Sequence, residues 1–184
     1  FVVAISSTTL REQSTHSSSP LSASVISCQN GKIPVGNTPQ AFAVVGTKRY
    51  VAVGGSVSII DATSNTVIKT LTTGFNAYHF AVVGTKVYVS NSASASVTVI
   101  NSVTDTVIKN ISVGVGPSFL AVVGNKLYVS IVSGYIEGND SVSVIDTTTD
   151  TVTKTITVGS GLADLAVAGS KVYAANFYSD TVSV

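Results

Sequence analysis

The sequence predicts an all-β fold, a β-propeller built of four-stranded antiparallel blades, on three observations. A phrase running from Val44 to Lys69 recurs from Val82 to Lys109 and from Val122 to Lys154, and returns cut short from Val167 to Val184. Each copy divides into four short runs rich in Val, Ile, Thr and Tyr, joined by turn-forming Gly, Asn, Asp and Ser. No stretch carries the 3.6-residue period of an amphipathic helix. A repeat of roughly 40 residues is a unit that buries its apolar face only against its neighbours. A solenoid of parallel coils has a shorter period and lacks hairpin turns, which leaves the propeller.

In chain order, Phe1 to Ile5 is an apolar run read as a strand or as the remnant of a targeting segment, and Ser7 to Ser24 is Ser/Thr-rich. Such composition buries little and reads as a tail, linker or long loop. Val25-Ile26-Ser27-Cys28 has the shape of a bacterial lipobox, but Arg11, Glu12 and Pro20 stand where its apolar core belongs. A complete signal peptide is not legible. The division that follows is a segment of residues 1–30 and a repeat region of residues 31–184, with blades at 37–74, 75–114, 115–159 and, in part, 160–184.

Within a blade, the first run ends at a Gly-polar corner: Gly46-Thr47, Gly84-Thr85, Gly124-Asn125 and Gly169-Ser170. Gly at positive φ between two β-rich runs predicts a two-residue type I′ or II′ hairpin. The third runs, Ser56 to Asp61, Ser96 to Asn101 and Ser141 to Asp146, alternate small polar and aliphatic residues as half-buried strands do. An Asx residue at each end of the next turn caps the backbone or takes the left-handed position. Fourth strands are expected at Thr66 to Thr72, Thr106 to Val113 and Thr151 to Val158.

Repeat spacings of 38, 40 and 45 residues between Gly46, Gly84, Gly124 and Gly169 differ only through the second hairpin. Tyr50 to Val57 is 7 residues, Tyr88 to Val97 is 9 and Tyr128 to Val142 is 14. Insertions confined to one loop mark one face of the assembly, often the binding face.

With the blades delimited, Tyr88-Val89-Ser90-Asn91, Ser96-Val97-Thr98-Val99-Ile100-Asn101, Thr106-Val107-Ile108-Lys109 and Val113-Gly114-Val115-Gly116-Pro117 resemble the YVTN β-propeller repeat of archaeal and bacterial surface-layer and cell-surface proteins. The resemblance covers Gly31 to Val184, although the Asn that ends the second strand is present only as Asn91 and Asn176. It implies a cell-surface location and a structural or adhesive role.

The segment Asn30 to Gly36 matches Thr153 to Gly159, a fourth strand and its exit. Three arrangements of the edges follow: closure by pairing Gly31 to Val35 with the strand ending at Val184, a larger propeller, or pairing with another copy to give a polymer. Closure of either kind removes exposed strand edges.

Ten basic and nine acidic residues give a formal charge of +1 with no basic stripe, so nucleic acid is not an expected partner. Charged residues make up 10% of the chain, against about 25% in ordinary soluble domains. Ser, Thr and Asn solvate the surface instead, as suits a secreted protein. No run reaches the ~18 apolar residues of a membrane helix. One Cys provides neither an internal disulfide nor a Cys-based zinc site.

Candidate sites are four. Alignment of the first strands puts Ala41, His79, Phe119 and Asp164 at one position, with Gln40, Tyr78, Ser118 and Ala163 beside it. First strands line the channel of a propeller, so Gln40, Tyr78, His79 and Asp164 are the candidate ligand-binding set. The long second hairpin of the third blade, with Tyr135, Glu137, Asn139 and Asp140, is the candidate partner loop, and its three oxygen ligands fall short of the six to eight that Ca²⁺ takes. Asn110 and Asn139 head glycosylation sequons. Gly114-Val115-Gly116 and Gly159-Ser160-Gly161 precede strands and read as turns between blades, not as dinucleotide loops.

No nucleophile and base are paired, and no cofactor or metal is expected. The functional expectation is a non-enzymatic extracellular module whose partners are surface proteins, copies of itself or glycans. An enzyme or cofactor-binding propeller, quinoprotein-like, lactonase-like or lyase-like, with its site at the channel mouth, is the alternative.

Overall fold

The computed structural model describes residues 31–132, 134 and 140–184. The chain divides into two compact units, Phe1–Gly31 and Lys32–Val184; the reading of residues 1–30 as a tail or degenerate strands lies outside the described residues. The second unit is all-β. Its first sheet holds β1 (Pro39–Val45), β2 (Lys48–Val53), β3 (Ser56–Asp61) and β4 (Thr66–Thr72) in sequence order, and the second holds β5 (Ala77–Val83), β6 (Lys86–Asn91), β7 (Ser96–Asn101) and β8 (Thr106–Ser112). The third comprises β9 (Pro117–Val123), β10 (Lys126–Ile131), β11 (Ser141–Asp146) and β12 (Thr151–Thr157). The fourth has three strands, β13 (Leu162–Ala168), β14 (Lys171–Asn176) and β15 (Thr181–Ser183).

The turns follow from local chemistry. Val45 pairs with Lys48 across Gly46-Thr47, and Gly46 has φ of 57° while Thr47 is not at positive φ. That selects type II′, whose twist matches the flanking strands. Between third and fourth strands, Asp61 Oδ1 accepts the N–H groups of Thr63 and Ser64, at 3.0 and 2.8 Å. Asn101 and Asp146 do the same for their own turns. Asn65, Asp105 and Asp150 at the far ends take φ between 52° and 54°, the left-handed position that Asx residues tolerate. The second hairpin varies as expected, from Gly54-Gly55 alone in the first blade, through Ser92–Ala95 with a single 3₁₀ turn in the second, to residues 132–140 in the third.

A register shift recurs near the start of every first strand. In the second and third blades it lies beside Ser90 and Ser130, both fully buried. Their hydroxyls accept the N–H of His79 at 3.1 Å and of Phe119 at 2.7 Å. Each bulge thus keeps a partner for an N–H that the ladder has dropped.

Blades mate through aliphatic faces. Tyr50, Val57 and Ile59 of the first blade pack with Phe80, Val87 and Ile100 of the second. Tyr88, Val97 and Val99 then pack with Leu120, Leu127 and Ile145 of the third. Full burial of each Val, Leu or Ile contributes roughly 1.5–3 kcal/mol, so these faces outweigh the polar contacts between blades. Glycines at the crossings allow the close approach: a Cβ on Gly114 would lie 2.5 Å from Ile131 Cγ2.

The edges depart from intrachain closure. Residues 31–36 form no ladder, and Ile33 and Val35 pack on Val51, Val53 and Ile60 of the first blade. Ser58 Oγ–H donates to the Val35 carbonyl at 2.7 Å. Apolar burial against the first blade therefore holds this segment, and β15 keeps its outer edge unpaired among the described strands.

Candidate functional site

The first strands place the channel-side residues at one rim. His79, on β5, is half-buried, and its Nδ1 accepts the N–H of Leu120 from the next blade at 3.3 Å. That bond leaves the proton on Nε2, so the ring is a neutral donor toward the rim. Burial lowers the His79 pKa below its ordinary value, and the Asp164 carboxylate opposes this without reversing it. Phe119 meets both neighbours edge-on, with ring centroids 5.7 Å from His79 and 5.8 Å from Tyr78.

The other two members of the aligned set stand apart from this trio. Gln40 donates from Nε2 to Asn76 Oδ1 at 2.9 Å, stitching the first blade to the second. Asp164 is exposed, and its Oδ1 accepts its neighbour's N–H, from Leu165, at 2.8 Å. The arrangement offers one neutral imidazole against two aromatic rings, with a carboxylate acting at a distance. Among the described residues, no group of three or more His, Cys, Asp or Glu side chains converges as a metal site.

In the long loop, Tyr135, Glu137 and Asn139 lie outside the described residues. Asp140 does not reach the surface: it is 1% exposed, and its Oδ2 accepts the N–H of Leu162 at 2.7 Å. A carboxylate at that depth pins the loop's end to the fourth blade and is withdrawn from partners. Asn110 is exposed on β8, and its Oδ1 accepts the Thr98 hydroxyl at 2.6 Å, while its amide nitrogen, the atom a glycan would take, makes no hydrogen bond among the described residues.

Around the same hairpin ends the structure exposes apolar side chains. Phe75 and Val115, in the turns between blades, are 75% and 70% exposed. Phe177 and Tyr178, in the second hairpin of the fourth blade, pack edge-to-face at 5.2 Å and line a groove of about 370 Å³ with Gly116, Val132 and Leu162.

A polar contact that sequence reasoning missed joins the blades on the opposite rim. Lys48 Nζ and Tyr50 OH donate to the two oxygens of Asp105 at 2.6 and 2.8 Å. Lys86 and Tyr88 grip Asp150 in the same way, at 2.7 and 2.6 Å. Each is a clamp from one blade onto the left-handed turn residue of the next. Burial, then the neighbouring carboxylate, raises both tyrosine pKa values. The available signal was the recurrence of Lys-x-Tyr at Lys48, Lys86, Lys126 and Lys171.

No protein-family description and no curated protein matches the sequence. Solved structures match in shape. Hydrazine synthase from Kuenenia stuttgartiensis superposes with a TM-score of 0.66 at 23% identity, over 82% of this chain and 44% of that one. BamB from Moraxella catarrhalis gives 0.59 at 16% identity, over 78% and 42%. The dihydro-heme d1 dehydrogenase NirN gives 0.60 at 11% identity, over 75% and 32%. The chain spans less than half the length of each of these structures. At such identities the likeness concerns shape alone, and with the repeated antiparallel sheets it makes this chain a run of β-propeller blades.

Proposed function

We propose that the chain is a non-enzymatic extracellular propeller module, structural or adhesive, that recognises partners through the loops of one face. The carrying observation is the division of labour among turns. The first and third hairpins keep one length and one geometry, whereas the second hairpin runs from Gly54-Gly55 to residues 132–140. The exposed Phe75, Val115, Phe177 and Tyr178 at that end supply apolar contact area of the kind that binding surfaces use. The resemblance to the YVTN repeat of surface-layer proteins supports the location and the role, with surface proteins, copies of the chain and glycans as partner classes. Low charge and abundant Ser and Thr accord with export.

The test compares binding of the purified chain to cell-surface extracts and glycan arrays before and after removal of residues 135–139. Asp140 is kept because it holds Leu162. Binding is expected to fall on loop removal and to survive His79→Ala, with the circular dichroism of both variants unchanged. Retained binding without the loop, together with loss of a measurable activity on His79→Ala, would instead support a site at the channel mouth. Two observations favour that second reading: His79 with Phe119 and Tyr78 at the rim, and the presence among similar folds of a synthase and a dehydrogenase.

A further inference from the structure

β9 is the inner edge of its sheet, so alternate N–H groups along it have no ladder partner and depend on another acceptor. At Leu120 that acceptor is Nδ1 of His79, from the second blade, 3.3 Å away. The equivalent N–H of the fourth blade, on Leu165, is taken by Oδ1 of its own neighbour Asp164 at 2.8 Å. One position of the repeat is thus served by a carboxylate in one blade and by an imidazole from the adjoining blade in another. Only the imidazole joins two blades. It is also the group that exchanges an acceptor for a donor near neutral pH, because both ring nitrogens carry protons in the imidazolium.

A second polar tie lies beside the first. Ser90 Oγ–H donates to the Ser118 carbonyl at 2.6 Å, again from the second blade to the third, and involves no titratable group. The Phe119 ring between these two bonds packs edge-on against His79 and fixes the place of the imidazole. The charges around the ring are few. β1 and β9, which pack on β5, carry no titratable side chain. On β2 and β6, Lys48, Tyr50, Lys86 and Tyr88 are engaged with Asp105 and Asp150 at the opposite rim, where Arg49 also lies, bonded to the Gly46 carbonyl. On β5 itself Tyr78 stands beside His79, and from β13 the Asp164 carboxylate acts on the ring.

We propose that His79 is a pH-sensitive joint between the second and third blades: neutral, it fastens the Leu120 N–H, and protonated, it turns a second N–H on that donor and releases it. The start of β9, with the Val115 turn before it, is then held to the second blade by the Ser90 bond and by apolar packing. Release loosens the loop-side rim locally and leaves the mated aliphatic faces in place. Burial disfavours the imidazolium, so His79 takes its proton below the ordinary 6.5, and Asp164 offsets part of that cost. The unfolded chain takes the proton first. The bond's contribution is therefore complete above about pH 6.5 and declines as the pH falls below it. The joint works in the same way whatever the loop face recognises, and equally in an enzymatic propeller.

An NMR titration of the purified chain from about pH 8 to about pH 5 tests this. At the neutral end the imidazole nitrogen shifts are expected to place the proton on Nε2. As His79 titrates, the Leu120 amide is expected to shift with it. Its exchange protection, corrected for the intrinsic dependence on pH, is expected to fall several-fold, while that of Leu165, bonded to a carboxylate, holds. His79→Gln offers an amide oxygen that accepts the same N–H without titrating and is expected to keep Leu120 protected throughout. Asp164→Asn is expected to move the His79 midpoint to lower pH. A proton on Nδ1 at neutral pH overturns the proposal, as does Leu120 protection that stays level while His79 titrates. A loss of protection that persists in His79→Gln overturns it equally. The first two readouts use the unaltered chain and decide the matter even where a variant fails to fold.

Discussion

Asp150 shows how much can rest on one carboxylate in a chain with so few charges. Its two oxygens take separate donors from the preceding blade, and the Tyr88 ring that supplies one of them is fully buried. Asp150→Ala removes the short, charged acceptor of that hydroxyl and leaves it only the Thr147 carbonyl at 3.4 Å, and urea unfolding is expected to show a loss of about 1.5–3 kcal/mol, in the range of hydrogen bonds to charged groups. The tyrosines also set an alkaline limit. In the folded state both hydroxyls titrate above the ordinary value of 10.0. The unfolded chain therefore sheds these protons first. Stability is complete below about pH 10 and falls above it, by up to about 1.4 kcal/mol per pH unit for each ring. Tyr88→Phe is expected to remove about half of that slope in urea midpoints followed above pH 10. Asp61 was legible as a turn residue because its partners, Thr63 and Ser64, are two and three residues away. Asp105 and Asp150 were legible only as turn residues: their clamps span 55 to 64 residues and depend on which blade faces which. His79 was found by alignment, but its bond to the Leu120 N–H lies between blades and has no local signature.

Among elements, the turns between blades are the most constrained. Gly116 sits at φ of 72°, and a Cβ there would collide with the Val132 carbonyl, which is backbone and does not yield. Gly116→Ala is expected to destabilise by about 1–3 kcal/mol, from overpacking and an unfavourable φ together, read as a shift in the urea midpoint without a change in its slope. Gly46→Ala at the first hairpin carries the same backbone penalty with no collision, since nothing lies near its Cβ, and is expected to cost less. Hairpin positions and strand faces were readable because period-two alternation and Gly-polar corners are local. The bulges were not, because a register shift is set by how Tyr78-His79 and Ser118-Phe119 meet the buried Ser90 and Ser130.

For the molecule as a whole, stability is a sum over neighbouring interfaces, so it varies along the chain. The second and third blades are covered on both faces, whereas the fourth exposes Val167, Val182 and Val184. Native-state amide exchange is expected to be slowest in β6, β7 and β10 and fastest in β15. Equal protection across all four sheets would contradict this ordering. The repeat itself made the blade architecture legible, since each blade restates the same pattern. Which edge meets which was not, because Ile33 and Val35 are held by packing on Val51, Val53 and Ile60 of the first blade, a contact with no local signature. The one length-tolerant position, residues 132–140, lies between two strands already held by full ladders and by Asp140. Its closure entropy grows only logarithmically, so doubling that segment would cost about 0.6 kcal/mol. A peptide of foreign sequence inserted there would ride on the scaffold almost free of thermodynamic penalty, which makes the third blade a natural site for displaying cargo.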